Sequence, residues 1–118
     1  MRQRLYFSIV CITVVALLVS CSQSSIDLTS FRGSEFDDEF PVPKSALIAK
    51  KRNSHIEYKL NGLTEENGLP DRYFKEIKKW GWEEQKEEQM GALQVFTKDG
   101  KTIEIITLTD HFILLKGD

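Results

Sequence analysis

The hydrophobic rhythm changes along the chain, and each change marks a boundary. Residues 5–20 are apolar apart from Ser8, Thr13 and Ser20, and Arg2 and Arg4 stand near their start. Residues 22–39 follow neither the helical nor the strand period; Ser, Thr, Gly and acidic residues dominate, which predicts a flexible tether. Pro41-Val42-Pro43 then stiffens the chain, because each proline restricts itself and the residue before it, so the folded unit is expected to begin here. Ala46-Leu47-Ile48-Ala49 is too short for its period to decide between an edge strand and a helical turn. Residues 55–60 alternate: Ile56, Tyr58 and Leu60 share one face, with His55, Glu57 and Lys59 on the other, as in a half-buried strand.

After Asn61-Gly62 and Asn67-Gly68, the period lengthens to that of a helix. Tyr73, Phe74, Ile77 and Trp80 recur at three- and four-residue spacing and form one apolar stripe; Arg72, Lys75, Glu76, Lys78 and Lys79 take the solvent side. Pro70 suits the first turn, Asp71 the positive end of the helix dipole, and Gly81 the left-handed position after the last turn. The spacing predicts a helix over 70–80 with Trp80 in the core. Residues 82–88 are acid-rich and read as an edge strand in preference to a continuation of the helix, since Gly81 terminates well. Residues 93–97 and 101–108 flank Lys98-Asp99-Gly100-Lys101, where Asp-Gly fills the centre of a type I′ hairpin turn. A final strand over 112–115 follows the polar break Thr109-Asp110-His111.

Together these elements predict an α+β domain over residues 41–118, with one helix packed on an antiparallel sheet of four to five strands in a β-α-β meander. One pattern does not fit a single covered face. In 101–108, Ile103 and Ile105 point one way while Ile106 and Leu108 point the other, and 112–115 is apolar on both sides. One helix covers one side of a sheet, so the remaining apolar face is left for a partner protein, a homodimer, the Phe-bearing tether, or a sheet curled on itself.

The N-terminal block changes the picture most. Its positive end, apolar stretch and small residue before a cysteine have the form of a secretory signal. The apolar run, about sixteen residues, is shorter than the roughly twenty needed to span a bilayer, and polar Ser22-Gln23-Ser24-Ser25 follows it. Leu18-Val19-Ser20-Cys21 closely resembles the lipobox of bacterial lipoproteins. The resemblance implies cleavage between Ser20 and Cys21, diacylglyceryl and further acyl (palmitate) modification of Cys21, and a lipid anchor on the extracytoplasmic side of the cell membrane. It divides the chain into a signal peptide (1–20), a lipidated N-terminus and tether (21–40) and the domain (41–118). Two or three acyl chains hold a protein stably where one holds it only marginally. A tether of some twenty residues gives the domain a root-mean-square reach of roughly 25 Å. The domain also resembles small uncharacterised secreted lipoprotein domains in Pro41-Val42-Pro43, Tyr73-Phe74, Gly81-Trp82 and the Asp99-Gly100 hairpin, a likeness that carries no activity with it.

Composition narrows the chemistry. Both cysteines, Cys11 and Cys21, lie in the N-terminal block; Cys11 leaves with the signal, so the mature chain is left without a thiol for a disulfide or a thiolate metal site. Losing Arg2 and Arg4 leaves fourteen basic against eighteen acidic residues, a mild acidity that disfavours nucleic acid as a partner. Phe31, Phe36 and Phe40 alternate with Glu35, Asp37, Asp38 and Glu39, which reads either as a recognised linear motif or, preferably, as phenylalanines packing back on the domain. Asp110-His111 is the one adjacent acid and imidazole pair, and a turn explains it fully; Glu83, Glu84, Glu87 and Glu88 form a solvated acidic face before they form a glycosidase pair. Neither a nucleophile elbow nor a phosphate-binding glycine loop is present. The expectation is a non-enzymatic lipoprotein without cofactor or metal, lipidated at Cys21 and binding a protein or envelope component. Alternatives are an immunity or exclusion lipoprotein that intercepts a toxin or peptide, and a small envelope hydrolase using Asp110, His111 and the glutamates Glu83, Glu84, Glu87 and Glu88.

Overall fold

Residues 26–117 are described by a computed structural model, and antiparallel pairing dominates them. A two-stranded arm joins β1 (Phe31–Gly33) to β2 (Pro41–Pro43), with Phe31 opposite Pro43 and Gly33 opposite Pro41. The main sheet has six strands: β3 (Leu47–Lys51), β4 (His55–Lys59), β5 (Glu83–Glu84), β6 (Leu93–Lys98), β7 (Lys101–Leu108) and β8 (His111–Lys116). Their order across the sheet is β3-β4-β8-β7-β6-β5, so the last strand slots between β4 and the β6-β7 hairpin. One helix, α1 (Asp71–Lys79), leads from β4 to β5, and a short 3-10 turn over Lys86–Glu88 lies between β5 and β6.

The α+β class is as expected, with two differences in its sheet. Leu47–Lys51 resolves the ambiguous apolar run as an edge strand, and six strands replace four to five. Asp99 and Gly100 both have positive φ, 50° and 79°, which the type I′ turn requires. The helix ends as Gly81 predicts: its N–H donates to Lys78 O, and the Trp82 N–H reaches back to Ile77 O at 3.2 Å. That pairing is a Schellman motif, with buried Ile77 and Trp82 at the positions where its hydrophobic contact forms.

The larger correction concerns the segment read as tether. Ser34 is buried, Phe40 is fully buried, and Ile26, Leu28, Phe31 and Phe36 pack against the core. Periodicity missed this segment because three-residue strands are too short to show a period. Its fold is held instead by specific bonds. Ser34 N–H donates to Phe40 O at 2.8 Å, and the Ser34 hydroxyl donates to Asp37 O at 2.7 Å. A side chain at Gly33 would collide with the Asp38 backbone, so the turn closes only around glycine. The folded unit therefore starts no later than Ile26, fifteen residues before Pro41.

The arm answers a geometric need. A nine-residue helix cannot cover the inner face of six strands, and the arm covers what it leaves. Tyr73 of α1 meets Phe112 edge-on at 5.8 Å, and Phe74 meets Phe96 at 5.9 Å. From the arm, Phe40 packs edge-on against Trp82 at 5.1 Å, and Arg32 lies over the Tyr58 ring. Phe31 joins the two covers through Tyr73. Beneath them, Tyr58 and Phe112, opposite one another on β4 and β8, stack at 4.9 Å.

Trp82 is the fully buried tryptophan, and Trp80, expected in the core, packs only partly against it. Trp82 is 1% exposed and belongs to the core, whereas Trp80 is half-buried and its indole N–H donates to Glu76 Oε2 at 2.8 Å. Glu76, expected in solvent, is buried beneath that indole and also accepts from Arg72 at 3.1 Å. Burial works to raise its pKa, and the Trp80 and Arg72 hydrogen bonds outweigh it and hold the carboxyl below its ordinary value.

Candidate functional site

The sequence-predicted polar candidates do not converge. Asp110 has φ 59° in the β7-β8 turn, and its Oδ1 accepts from the Gly62 N–H at 2.9 Å. Its backbone is equally engaged, accepting from Leu60 N–H and donating to Leu63 O, so the residue ties the β4 exit loop to the turn. His111 faces Thr109 O through Nδ1 at 3.2 Å, and the Asp110 carboxylate serves the glycine. Among the four glutamates, Glu83, Glu87 and Glu88 are exposed, while Glu84 accepts from Gln89 Nε2 at 3.1 Å. Among the described residues no group of three His, Cys, Asp or Glu is placed to hold a metal ion.

The phenylalanine and acid alternation of 31–40 does converge, though as structure. Tyr58 Oη donates to Glu35 Oε1 at 2.6 Å, and Arg32 closes on Glu35 Oε2 at 2.8 Å. Burial and this bond push the Tyr58 hydroxyl far above the usual tyrosine range. Burial also works to raise Glu35, but the Tyr58 and Arg32 hydrogen bonds prevail and lower it. Tyr73 Oη donates to Pro41 O at 2.8 Å, Trp82 Nε1 to Glu39 O at 2.9 Å, and Lys101 bridges Asp37 at 2.6 Å and Glu39 at 2.9 Å. The signal in the sequence is the presence of Tyr58 and Tyr73 on apolar faces, since a tyrosine hydroxyl requires a partner once it is buried.

Two surfaces remain open. An open groove of about 440 Å³ runs between α1 and the β5-β6 edge, with Phe74 and Phe96 as its floor and Asp71, Lys75, Lys78, Glu84 and Lys86 on its rim. The rim mixes both signs, so it selects weakly by charge. The second surface is the outer face of the six-stranded sheet. Register places Leu93, Ile106, Ile113 and Glu57 in one cross-strand row. Val95, Glu104, Leu115 and His55 form the next, and Leu108, His111, Lys59 and Leu47 the row at the other side. Leu93, Ile106, Leu108, Ile113 and Leu115 are half-buried, and Val95 is buried. The single described α-helix and the arm both lie on the opposite face.

Cys21, the expected acylated residue, lies outside the described residues, as does the whole predicted signal. Among the described residues no helix is long and apolar enough to cross a membrane. Comparison with protein-family models, with curated proteins and with solved structures finds no match, so the site's chemistry rests on these residues alone.

Proposed function

We propose that this chain is a lipoprotein anchored through acylated Cys21 on the extracytoplasmic side of a bacterial membrane. In this reading its domain works by binding a protein across the outer face of the six-stranded sheet, without catalysing a reaction. The observation that carries the binding half is the half-buried apolar set Leu93, Ile106, Ile113 and Leu115 on the outer face, which neither α1 nor the arm covers. A sheet with one solvated face ordinarily alternates apolar and polar residues, with the polar set outward. Here β7 and β8 place Ile106, Leu108, Ile113 and Leu115 outward instead, and an apolar patch of this kind marks an interaction surface. The binding reading is supported further by Asp110 and His111, which bond Gly62 and the Thr109 carbonyl and not one another.

The two halves are tested separately. Acylation is read by mass spectrometry of the N-terminal peptide and by incorporation of labelled palmitate; Cys21→Ala is expected to abolish both and release the protein from the membrane fraction. Binding is read by site-specific photo-crosslinking in intact cells from position 113, with position 65 as control. A discrete adduct from 113 and none from 65 is expected; the same adducts from both positions would refute the outer face as the binding surface.

A further inference from the structure

The packing of Ile26 and Asp27 limits how the domain is held. Ile26 is half-buried and packs at Gly62, where an added Cβ would lie 2.7 Å from Ile26 Cγ1. Asp27 O then accepts from Ser45 Oγ at 2.7 Å. Gly62 in turn donates to Asp110 Oδ1 at 2.9 Å. These bonds fix residues 26–27 at the end of the sheet where β3 starts, β4 finishes and β7 turns into β8.

Only Ser22, Gln23, Ser24 and Ser25 separate Cys21 from Ile26. Fully extended, five residue steps reach at most about 18 Å. Strand β7 alone, with eight residues, rises about 27 Å. The connection is shorter than the sheet is tall, so an acyl group on Cys21 draws one particular end of the domain to the bilayer. Resting on the acylation proposed above, we infer that this end docks on the lipid surface, with Leu47 entering the headgroup region and the Asp99-Gly100 hairpin pointing away.

The residues at that end suit a bilayer contact. Leu47 is 66% exposed, which is a cost in water that insertion removes, and Lys44 and Lys59 are exposed beside it. Lysine stems lie along apolar surface and keep their ammonium groups at headgroup level. Asp27 in the same segment, Asp110 in the β7-β8 turn, and Glu65 and Glu66 in the loop after Leu63 offset those two cations, with His111 in the same outer row as Lys59. Charge therefore does not drive the contact; the short connection and Leu47 do.

The test uses the acylated protein in vesicles of phosphatidylethanolamine and phosphatidylglycerol carrying a bilayer-embedded quencher. Because acylated Cys21 has no free thiol, one environment-sensitive fluorophore is attached through Lys44→Cys or, in a second protein, through Asp99→Cys. Quenching at position 44 and none at 99 is expected, with Leu47→Glu lowering the signal at 44. Inserting twenty Gly and Ser residues between Ser25 and Ile26 lengthens the connection about fivefold, which lowers the effective concentration of that end at the surface roughly tenfold. Equal quenching at 44 and 99, or no response to the insertion, overturns the docking while leaving acylation standing. An N-terminal peptide without the acyl mass overturns the anchor, and the docking with it.

Discussion

The two faces of the six-stranded sheet are built from the same strands and similar aliphatic residues, yet one is buried under two covers and the other lies under neither of them. On the inner face Ile103, Ile105, Phe112 and Leu114 are buried beneath α1 and the arm; one residue along in each strand, Glu104, Ile106, Ile113 and Leu115 are half-buried at most. Alternation alone says that two faces exist. Which face is core is decided by what lies over it, and half of that cover comes from residues 26–43, the part of the chain with the weakest periodic signal.

The sharpest way to break this comparison is to place the same charge on either side of β7. Ile105→Asp puts a carboxylate into a fully buried site with no partner, and the domain is expected to lose its cooperative urea transition. Ile106→Asp, its neighbour on the outer face, is expected to keep the transition. If both unfold the protein, the outer face is core and the binding proposal fails with it.

A second contrast lies within the covers. Trp82→Ala removes a fully buried ring that Phe40 packs against edge-on, and it is expected to cost about 3 to 5 kcal/mol in a denaturant melt. Trp80→Ala removes a half-buried indole whose polar bond is to Glu76 four residues away, and about 1 to 2 kcal/mol is expected, within the usual range for a point substitution. The reverse order would mean that the helix stripe read from spacing, and not the observed packing, describes the core.

That reversal shows what could and could not be read from the chain. The helix, its Gly81 stop, the Asp99-Gly100 turn and the β4 alternation were legible because each depends on neighbours within a few residues. By spacing Trp82 reads as the start of an acidic segment, because its burial depends on Phe40, forty-two positions earlier, and on the carbonyl of Glu39. The arm reads as tether for the same reason: Tyr58, Tyr73, Trp82 and Lys101 hold it, all of them distant in sequence. The outer face was legible as a surplus of apolar positions on β7 and β8, and the lack of a second cover became visible only once the arm was found on the inner side.

The bonds of the arm make a third prediction. Tyr58→Phe leaves the ring stacked on Phe112 and removes the hydroxyl that meets Glu35. A hydrogen bond to a charged group contributes about 1.5 to 3 kcal/mol, and a loss near the lower figure is expected because Arg32 still holds the carboxylate. Hydrogen exchange after this substitution should quicken in β1 and β2 and remain unchanged in α1.

The smallest effect is the most selective between the two covers. The arm carries three carboxylates held below their ordinary values. Glu35 and Asp37 are each raised by burial but lowered more by hydrogen bonds, from Tyr58 and Arg32 for Glu35 and from Lys101 and the Glu39 N–H for Asp37; Glu39 is lowered chiefly by Lys101. Groups with depressed folded pKa values contribute stability that is complete above their unfolded values, 3.8 for Asp and 4.5 for Glu, and that is lost as pH falls through the lower folded values. Lys101 shifts in the opposite sense, upward, so it stays charged throughout that acid window. Glu76 on the helix is lowered as well, but its partners Arg72 and Trp80 belong to or cap the same helix, and protonating it frees no contact between the helix and the sheet. Below about pH 4 the amides of β1 and β2 should therefore exchange faster while those of α1 keep their protection, and Lys101→Met should flatten that dependence without abolishing it, since Glu35 remains. Equal loss of protection in both covers would show that arm and helix open as one unit, and that the inner face has a single cover made of two pieces.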